Sequence, residues 1–125
     1  VAGINIKYVD NIPFVLLGLK PSGIWEFPGG KVENQESHSE TMEREWIEEL
    51  GVMVECEHEH FGHARNGAYE VWFYELDIKQ DDYQDGEPVS QEHVNVKYFR
   101  LDEVGGIELN QINRTMLSKL VNKYK

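Results

Sequence analysis

Residues 30–52 read GKVENQESHSETMEREWIEELGV, and this stretch decides the fold that we predict for the chain. Its spacing places Glu45, Glu48 and Glu49 on one side of a helix, because residues three and four apart are neighbours on a helical surface. Like charges crowded in this way destabilise a bare helix, and they lie near its C-terminal end, where the helix dipole disfavours anions. The arrangement is better tolerated with a bound cation, and carboxylate oxygens select Mg²⁺ or, as the alternative, Mn²⁺.

The same stretch carries the start and stop signals of a helix over residues 37–50. Ser37 can serve as the N-cap, and Glu40 follows three residues later, which is the pattern of a capping box. Gly51 is placed to end the helix, because glycine readily adopts the left-handed backbone conformation common at that position. The apolar residues at helical spacing, which should face the core, are Met42, Trp46, Ile47 and Leu50.

Short apolar runs on both sides of this helix predict β-strands. The predicted strands cover residues 1–4, 14–19, 25–27, 52–63, 69–78 and 94–101. The first two should form a hairpin around the turn at residues 10–13, and residues 79–91 should form a solvated loop. A helix over residues 111–124 should end the chain. The fold class is therefore α/β, with a mixed sheet between the two helices.

The chain is acidic and short enough to form one domain over residues 1–125. Its net charge of −11 repels nucleic-acid backbones and anionic lipids, so we expect neither a nucleic-acid polymer nor a membrane as a partner. Seven of the 23 acidic residues lie within residues 33–49, and a cation site would explain this crowding. Cys56 is the single cysteine, which excludes an internal disulfide and fits a reducing compartment, so we expect a cytoplasmic location.

Residues 30–52 follow the pattern Gly-x5-Glu-x7-Arg-Glu-U-x-Glu-Glu-x-Gly-U, in which U is a bulky apolar residue. Gly30, Glu36, Arg44 and Gly51 are all in register, and Trp46 fills the first U position. The pattern resembles the signature of the Nudix hydrolases, and residues 30–52 are called the Nudix box below. The resemblance implies a Nudix-type α/β/α sandwich and a hydrolase that acts on phosphoric anhydride bonds.

The resemblance also implies a metal site with water as the attacking group. Its predicted ligands are the carboxylates of Glu45, Glu48, Glu49 and Glu92 and the backbone carbonyls of Gly29 and Gly30. One of the carboxylates would act as general base on the water that attacks a diphosphate linkage. Arg44 and Glu36 would form an ion pair that orients Glu45, since metal ligands are usually fixed by neighbouring hydrogen bonds.

Segments outside the box resemble the MutT-type nucleoside triphosphate pyrophosphatases. Residues 25–31 read WEFPGGK, as in the segment before the box in that group, and residues 98–101 and 113–120 also match it. The resemblance implies that Phe27 lines the base pocket, that Asn113 reads the purine edge and that Lys31 contacts substrate. The small-molecule partner would be a (d)NTP or a modified nucleotide, which is cleaved to a nucleoside monophosphate and pyrophosphate.

Three alternatives remain open at the level of sequence. The enzyme could hydrolyse a dinucleoside polyphosphate or another nucleoside diphosphate derivative, because dinucleoside polyphosphate hydrolases often carry a tyrosine at the position of Tyr69. The domain could instead bind a nucleotide without catalysis. Cys56, His58 and His60, with His63 nearby, could hold Zn²⁺, although polar residues on a sheet face are the favoured interpretation. For the oligomeric state we favour a monomer.

Overall fold

The computed structural model describes residues 1–79 and 93–125. Its strands are β1 (Ala2–Ile4), β2 (Ile6–Val9), β3 (Ile12–Leu19), β4 (Trp25–Glu26), β5 (Val54–Cys56), β6 (Gly62–Asn66), β7 (Tyr69–Ile78) and β8 (Asn95–Arg100). The helices are α1 (His38–Leu50) and α2 (Gln111–Lys123), and a 3-10 helix spans Leu101–Gly106. In this part of the chain, no helix is long and apolar enough to cross a membrane.

Within the described residues the strands form two four-stranded sheets. In the first sheet β7 pairs in parallel with β1 and antiparallel with β5 and β6. In the second sheet β3 pairs antiparallel with β2, β4 and β8. The prediction of one mixed sheet is therefore corrected to two, of which the first contains both parallel and antiparallel pairs.

The alternation of side chains on β3 explains why the two helices cover opposite faces. Val15 and Leu17 pack in a core with residues of α2, whereas Leu16 packs in a separate core with residues of α1. All three side chains are fully buried, as expected for a strand that is covered on both sides. The predicted α/β class with helices on both faces is thus confirmed, and the layered arrangement follows from this alternation.

The hairpin near the N-terminus differs from the prediction. Residues 1–4 do not pair with β3, because β1 joins the other sheet beside β7. Asn5 separates β1 from β2, and its amide nitrogen donates a hydrogen bond of 3.1 Å to the Leu76 carbonyl. The hairpin is formed by β2 and β3, which turn at Asp10 and Asn11 with positive φ angles of 52° and 64°.

The prediction of one strand over residues 52–63 is also wrong, because this range contains the two separate strands β5 and β6. β5 and β6 both pair with β7, and the five residues between them form a bend instead of continuing the ladder. That bend carries Glu57, His58, Glu59 and His60, all of which are exposed.

A second correction concerns Ile47, which is 50% exposed rather than part of the buried stripe on α1.

Candidate active site on the box helix

The ends of α1 are fixed by the caps that the sequence predicts. The Ser37 hydroxyl accepts a hydrogen bond from the Glu40 backbone nitrogen at 3.1 Å, and the Glu40 carboxylate accepts one from the Ser37 nitrogen at 2.9 Å. Gly51 ends the helix with a φ of 68°. These caps set the boundaries of the helix that carries the acidic residues of the box.

Arg44 is the centre of the ion-pair network in the box. Its Nε and Nη2 donate to the two carboxylate oxygens of Glu36, at 2.6 and 3.0 Å. Its Nη1 donates to Glu45 at 2.9 Å and to Glu48 at 3.2 Å. The planar guanidinium suits this arrangement, since it presents several donors in fixed directions. The predicted ion pair with Glu36 is present, and one guanidinium also holds two of the predicted metal ligands.

Glu36 connects this network to the loop before α1. Besides Arg44, its Oε1 accepts hydrogen bonds from the Glu33 backbone nitrogen and from the Thr41 hydroxyl, each at 3.0 Å. Hydrogen bonding from Arg44 is the main cause that lowers the pKa of Glu36 to about 2, and the bond from the Glu33 backbone adds to it. The hydrogen bonds of Arg44 to Glu36 and to Glu45 raise the pKa of Arg44, so Arg44 and Glu36 both stay charged at neutral pH.

We expect the contribution of Glu36 to stability to be lost in acid. Because its pKa is lowered in the folded protein from 4.5 to about 2, the stabilisation is fully present above pH 4.5 and disappears as the pH falls towards 2. Thermal melts of the native protein and of Glu36→Gln should therefore differ most above pH 5 and converge below pH 3. A difference in melting temperature that stays constant down to pH 2 would contradict this assignment.

The turn before the box brings the backbone close to β1. The Gly3 nitrogen donates to the Pro28 carbonyl at 2.8 Å, and the Gly30 nitrogen donates to the Val1 carbonyl at 3.0 Å. A Cβ atom on Gly29 would lie 2.1 Å from the Val1 carbonyl oxygen, so this position requires glycine for close packing of two backbones. Glycine is therefore needed at position 29 for backbone packing, which is separate from the predicted role of its carbonyl as a metal ligand.

Gly30 and Trp46 connect this turn to α1. A Cβ atom on Gly30 would lie 2.3 Å from the carboxylate carbon of Glu45, so the Glu45 carboxylate fills the space that a side chain would need. The Trp46 indole is fully buried and donates to the Pro28 carbonyl at 3.3 Å. The turn and the box helix are thus held together at the point where the first predicted metal ligand lies.

The oxygen-rich donor set fits a hard divalent cation. Glu45 and Glu49 are largely buried, whereas the Glu48 side chain is 58% exposed and can reorient. Among residues 1–79 and 93–125 no three acidic, histidine or cysteine side chains form a ready-made metal cluster. Arg44 donates hydrogen bonds to both Glu45 and Glu48. The Gly30 carbonyl also accepts a hydrogen bond from the Val1 nitrogen at 2.9 Å. The predicted ligand Glu92 lies outside the described residues.

A cavity of about 570 Å³ opens beside the box. All four predicted substrate residues line it together with both glycines of the turn, namely Phe27, Lys31, Tyr69, Asn113, Gly29 and Gly30. Phe27 is only 3% exposed and packs edge-on against Phe73, so its ring belongs to the core as well as to the cavity wall. Asn113 is 7% exposed and lies in the first turn of α2, whose N-cap is Asn110. Tyr69 is 75% exposed.

The cavity also contains residues that the sequence did not single out. They include Glu26, His38, Trp72 and Asn110. Burial lowers the pKa of His38, so its ring is neutral near pH 7 and shares a hydrogen bond of 2.8 Å with the Tyr74 hydroxyl. The asparagine directly before α2 is a signal that could have been used for Asn110, since asparagine is a preferred N-cap.

The cysteine and histidine residues near β5 are not gathered into one group. Residues 54–63 are all described, and they contribute to no metal-holding group. Burial raises the pKa of the Cys56 thiol to about 11, so it stays protonated at neutral pH and is a poor ligand. His60 instead packs against Trp72, with ring centroids 4.5 Å apart. His58 and His60 are polar and exposed, but they lie in the bend between β5 and β6 rather than on a sheet face as predicted.

The family model for the NUDIX domain matches residues 15–120, and the chain belongs to that family. Nudix hydrolases generally use divalent metal ions. The protein is similar to an oxidized purine nucleoside triphosphate hydrolase of Mus musculus, with 31% identity over 96 residues. That match covers 72% of this chain and 60% of the mouse protein, so the chain spans less than two thirds of this relative. An 8-oxo-dGTP diphosphatase of Buchnera aphidicola is 42% identical over 41 residues, a third of each chain.

Solved structures support the same fold. MutT, from a study of the Aliivibrio salmonicida and Vibrio cholerae proteins, superimposes with a TM-score of 0.77 and 26% identity, covering 98% of this chain and 94% of that one. An Ap4A hydrolase of C. elegans superimposes with a TM-score of 0.74 at 18% identity, covering 98% of this chain and 92% of that one. At 18% identity, the similarity to the Ap4A hydrolase shows a shared fold alone.

Proposed function

We propose that the protein is a Mg²⁺-dependent hydrolase that cleaves a (d)NTP or a modified nucleoside triphosphate to a nucleoside monophosphate and pyrophosphate. The names of the similar mouse and Buchnera proteins support a nucleoside triphosphate substrate. The proposal includes Mg²⁺ rather than Mn²⁺ as the metal. It also includes a cytoplasmic location, which the single cysteine favours.

One observation carries the proposal: Gly30 belongs to both the acidic site and the cavity. It lines the cavity, and its backbone lies directly against the Glu45 carboxylate. A ligand that fills the cavity therefore ends beside the box carboxylates. Lys31 lies at the same wall and supplies a positive charge in a chain whose net charge is −11. Such a charge favours the polyphosphate part of a nucleotide at this end.

The roles of the chain's residues follow from this placement. A cation bound by Glu45, Glu48 and Glu49, with Glu92 and a glycine carbonyl, would supply activation of water and neutralisation of phosphate charge. Arg44 holds the Glu45 carboxylate in a fixed direction through its Nη1. Asn113 also lines the cavity and offers an amide that can both donate and accept hydrogen bonds to a nucleobase edge.

A substrate panel tests the proposal. The panel contains canonical and oxidised (d)NTPs, dinucleoside polyphosphates, ADP-ribose and nucleotide sugars, each assayed with Mg²⁺. We expect a (d)NTP or an oxidised (d)NTP to give the highest kcat/KM, with pyrophosphate as a product. A clear preference for ADP-ribose or for a nucleotide sugar would overturn the assignment.

A dinucleoside polyphosphate is the second candidate substrate, and Tyr69 is the observation that favours it. The Tyr69 ring lines the cavity and is 75% exposed, so one face could stack on a second base. If the panel shows this preference, Tyr69→Ala should raise the KM of the dinucleotide by about fivefold and leave that of a (d)NTP within twofold, since a stacking contact is worth about 1 kcal/mol.

A further inference from the structure

A buried histidine lies outside the network described so far. The His93 side chain is 2% exposed, and its Nε2 lies 2.8 Å from Oε2 of Glu26. These two residues are 67 positions apart in the sequence. Glu26 is one of the residues that line the nucleotide cavity, and its side chain is 28% exposed. The histidine thus reaches the cavity wall through this one carboxylate.

Gly18 leaves room for the contact between His93 and Glu26. On β3, Gly18 pairs with Glu26 of β4 and with Val96 of β8, and His93 comes two residues before β8 begins. A Cβ atom on Gly18 would lie 2.6 Å from the ring atoms of His93. The imidazole therefore crosses β3 over a residue without a side chain. A hydrogen bond of 2.8 Å from the Val94 nitrogen to the Leu19 carbonyl fixes the backbone beside the histidine.

Glu26 lies next to a backbone contact between β4 and the segment that leads into α2. The neighbouring residue Trp25 forms a β-bridge with Leu109, and its nitrogen donates to the Glu108 carbonyl at 2.8 Å. This bridge brings β4 to the segment that leads into α2, where Asn110 and Asn113 line the same cavity. An ionised carboxylate there is a pure hydrogen-bond acceptor, which suits the amino and imino N–H groups of a nucleobase.

We propose that His93 is a positioning residue that holds the Glu26 carboxylate against the cavity so that it accepts a hydrogen bond from a nucleobase N–H group. The inference rests on the proposed function, since it assumes that a nucleotide occupies the cavity. His93 does not touch the substrate, and its effect is on nucleotide binding through Glu26. The bond to Oε2 fixes the plane of the carboxylate, which would otherwise rotate freely.

The test is a double-mutant cycle on KM. With the best substrate of the panel, His93→Ala and Glu26→Ala should each raise KM by about tenfold, the size expected for loss of a positioned charge-assisted hydrogen bond. Values of kcat should stay within about threefold. The double variant should be no worse than Glu26→Ala, because partners in one interaction are not additive. His93→Gln should restore most of the affinity, since its amide also offers an N–H donor.

The exposed His58 provides a matched control, and His58→Ala should change neither KM nor kcat. If the effects of His93→Ala and Glu26→Ala multiply, or if Glu26→Ala leaves KM unchanged, the inference is wrong. Binding of nucleoside monophosphates without metal is measured alongside. If the variants lose nucleotide binding in the same pattern but the native protein shows no turnover, the role of His93 is supported and the proposed hydrolase activity is rejected. A native protein that binds no nucleotide would overturn both.

Discussion

Replacing Glu49 by glutamine should lower Mg²⁺-dependent turnover of a nucleoside triphosphate by about a thousandfold or more. Glu49 is 5% exposed on α1, one turn after Glu45. Glutamine keeps the size and shape of the side chain but removes the negative charge that a hard cation requires. Metal catalysis contributes several kcal/mol of transition-state stabilisation, and about 4 kcal/mol corresponds to that loss in rate. Steady-state kinetics under saturating Mg²⁺ give the measurement.

Glu43 offers a matched control for this substitution. It lies on the same helix but is exposed, and it does not line the cavity. Glu43→Gln should leave kcat within about twofold of the native value. If Glu49→Gln keeps turnover within tenfold of the native protein while its melting temperature is unchanged, Glu49 is not a principal metal ligand.

The second large effect is expected for Gly30→Ala. The added Cβ atom would lie 2.3 Å from the carboxylate carbon of Glu45, which is closer than real Cβ atoms approach. The carboxylate must then move by about an ångström, and a displacement of that size near a reacting centre lowers the rate by about a hundredfold. We expect this loss in kcat, with a smaller change in KM, because the cavity wall itself keeps its shape.

Gly105→Ala is the control for the glycine substitution. A Cβ atom on Gly105 would meet no other atom within 4 Å, so activity and melting temperature should both be retained. Full activity of Gly30→Ala would show that the observed position of Glu45 is not needed for the reaction. A loss of folding would instead appear as a lower melting temperature, which circular dichroism measures.

Local signals in the sequence were sufficient for the box helix. Ser37, Glu40 and Gly51 define its ends, and the spacing of the three carboxylates follows from helical geometry alone. The ion pair between Arg44 and Glu36 was predicted from the family resemblance, and the structure contains it. The roles assigned to the metal ligands and substrate residues stay predictions, and the variants above are designed to test them.

Long-range pairing could not be predicted from the same signals. Alternation shows that a segment is a strand but does not name its partner, so β1 was assigned to the nearest strand in sequence rather than to β7. The bend between β5 and β6 was missed because its residues continue an alternating pattern. The contact between Glu26 and His93 depends on Gly18 lying between them, which only the register of three strands reveals.

The products of nucleoside triphosphate hydrolysis, analysed with Mg²⁺ and after its removal by EDTA, test the central claim most directly. We expect a nucleoside monophosphate and pyrophosphate in equal amounts with Mg²⁺, and no turnover in EDTA until Mg²⁺ is restored. Release of a nucleoside diphosphate with orthophosphate, or turnover that persists unchanged in EDTA, would contradict it.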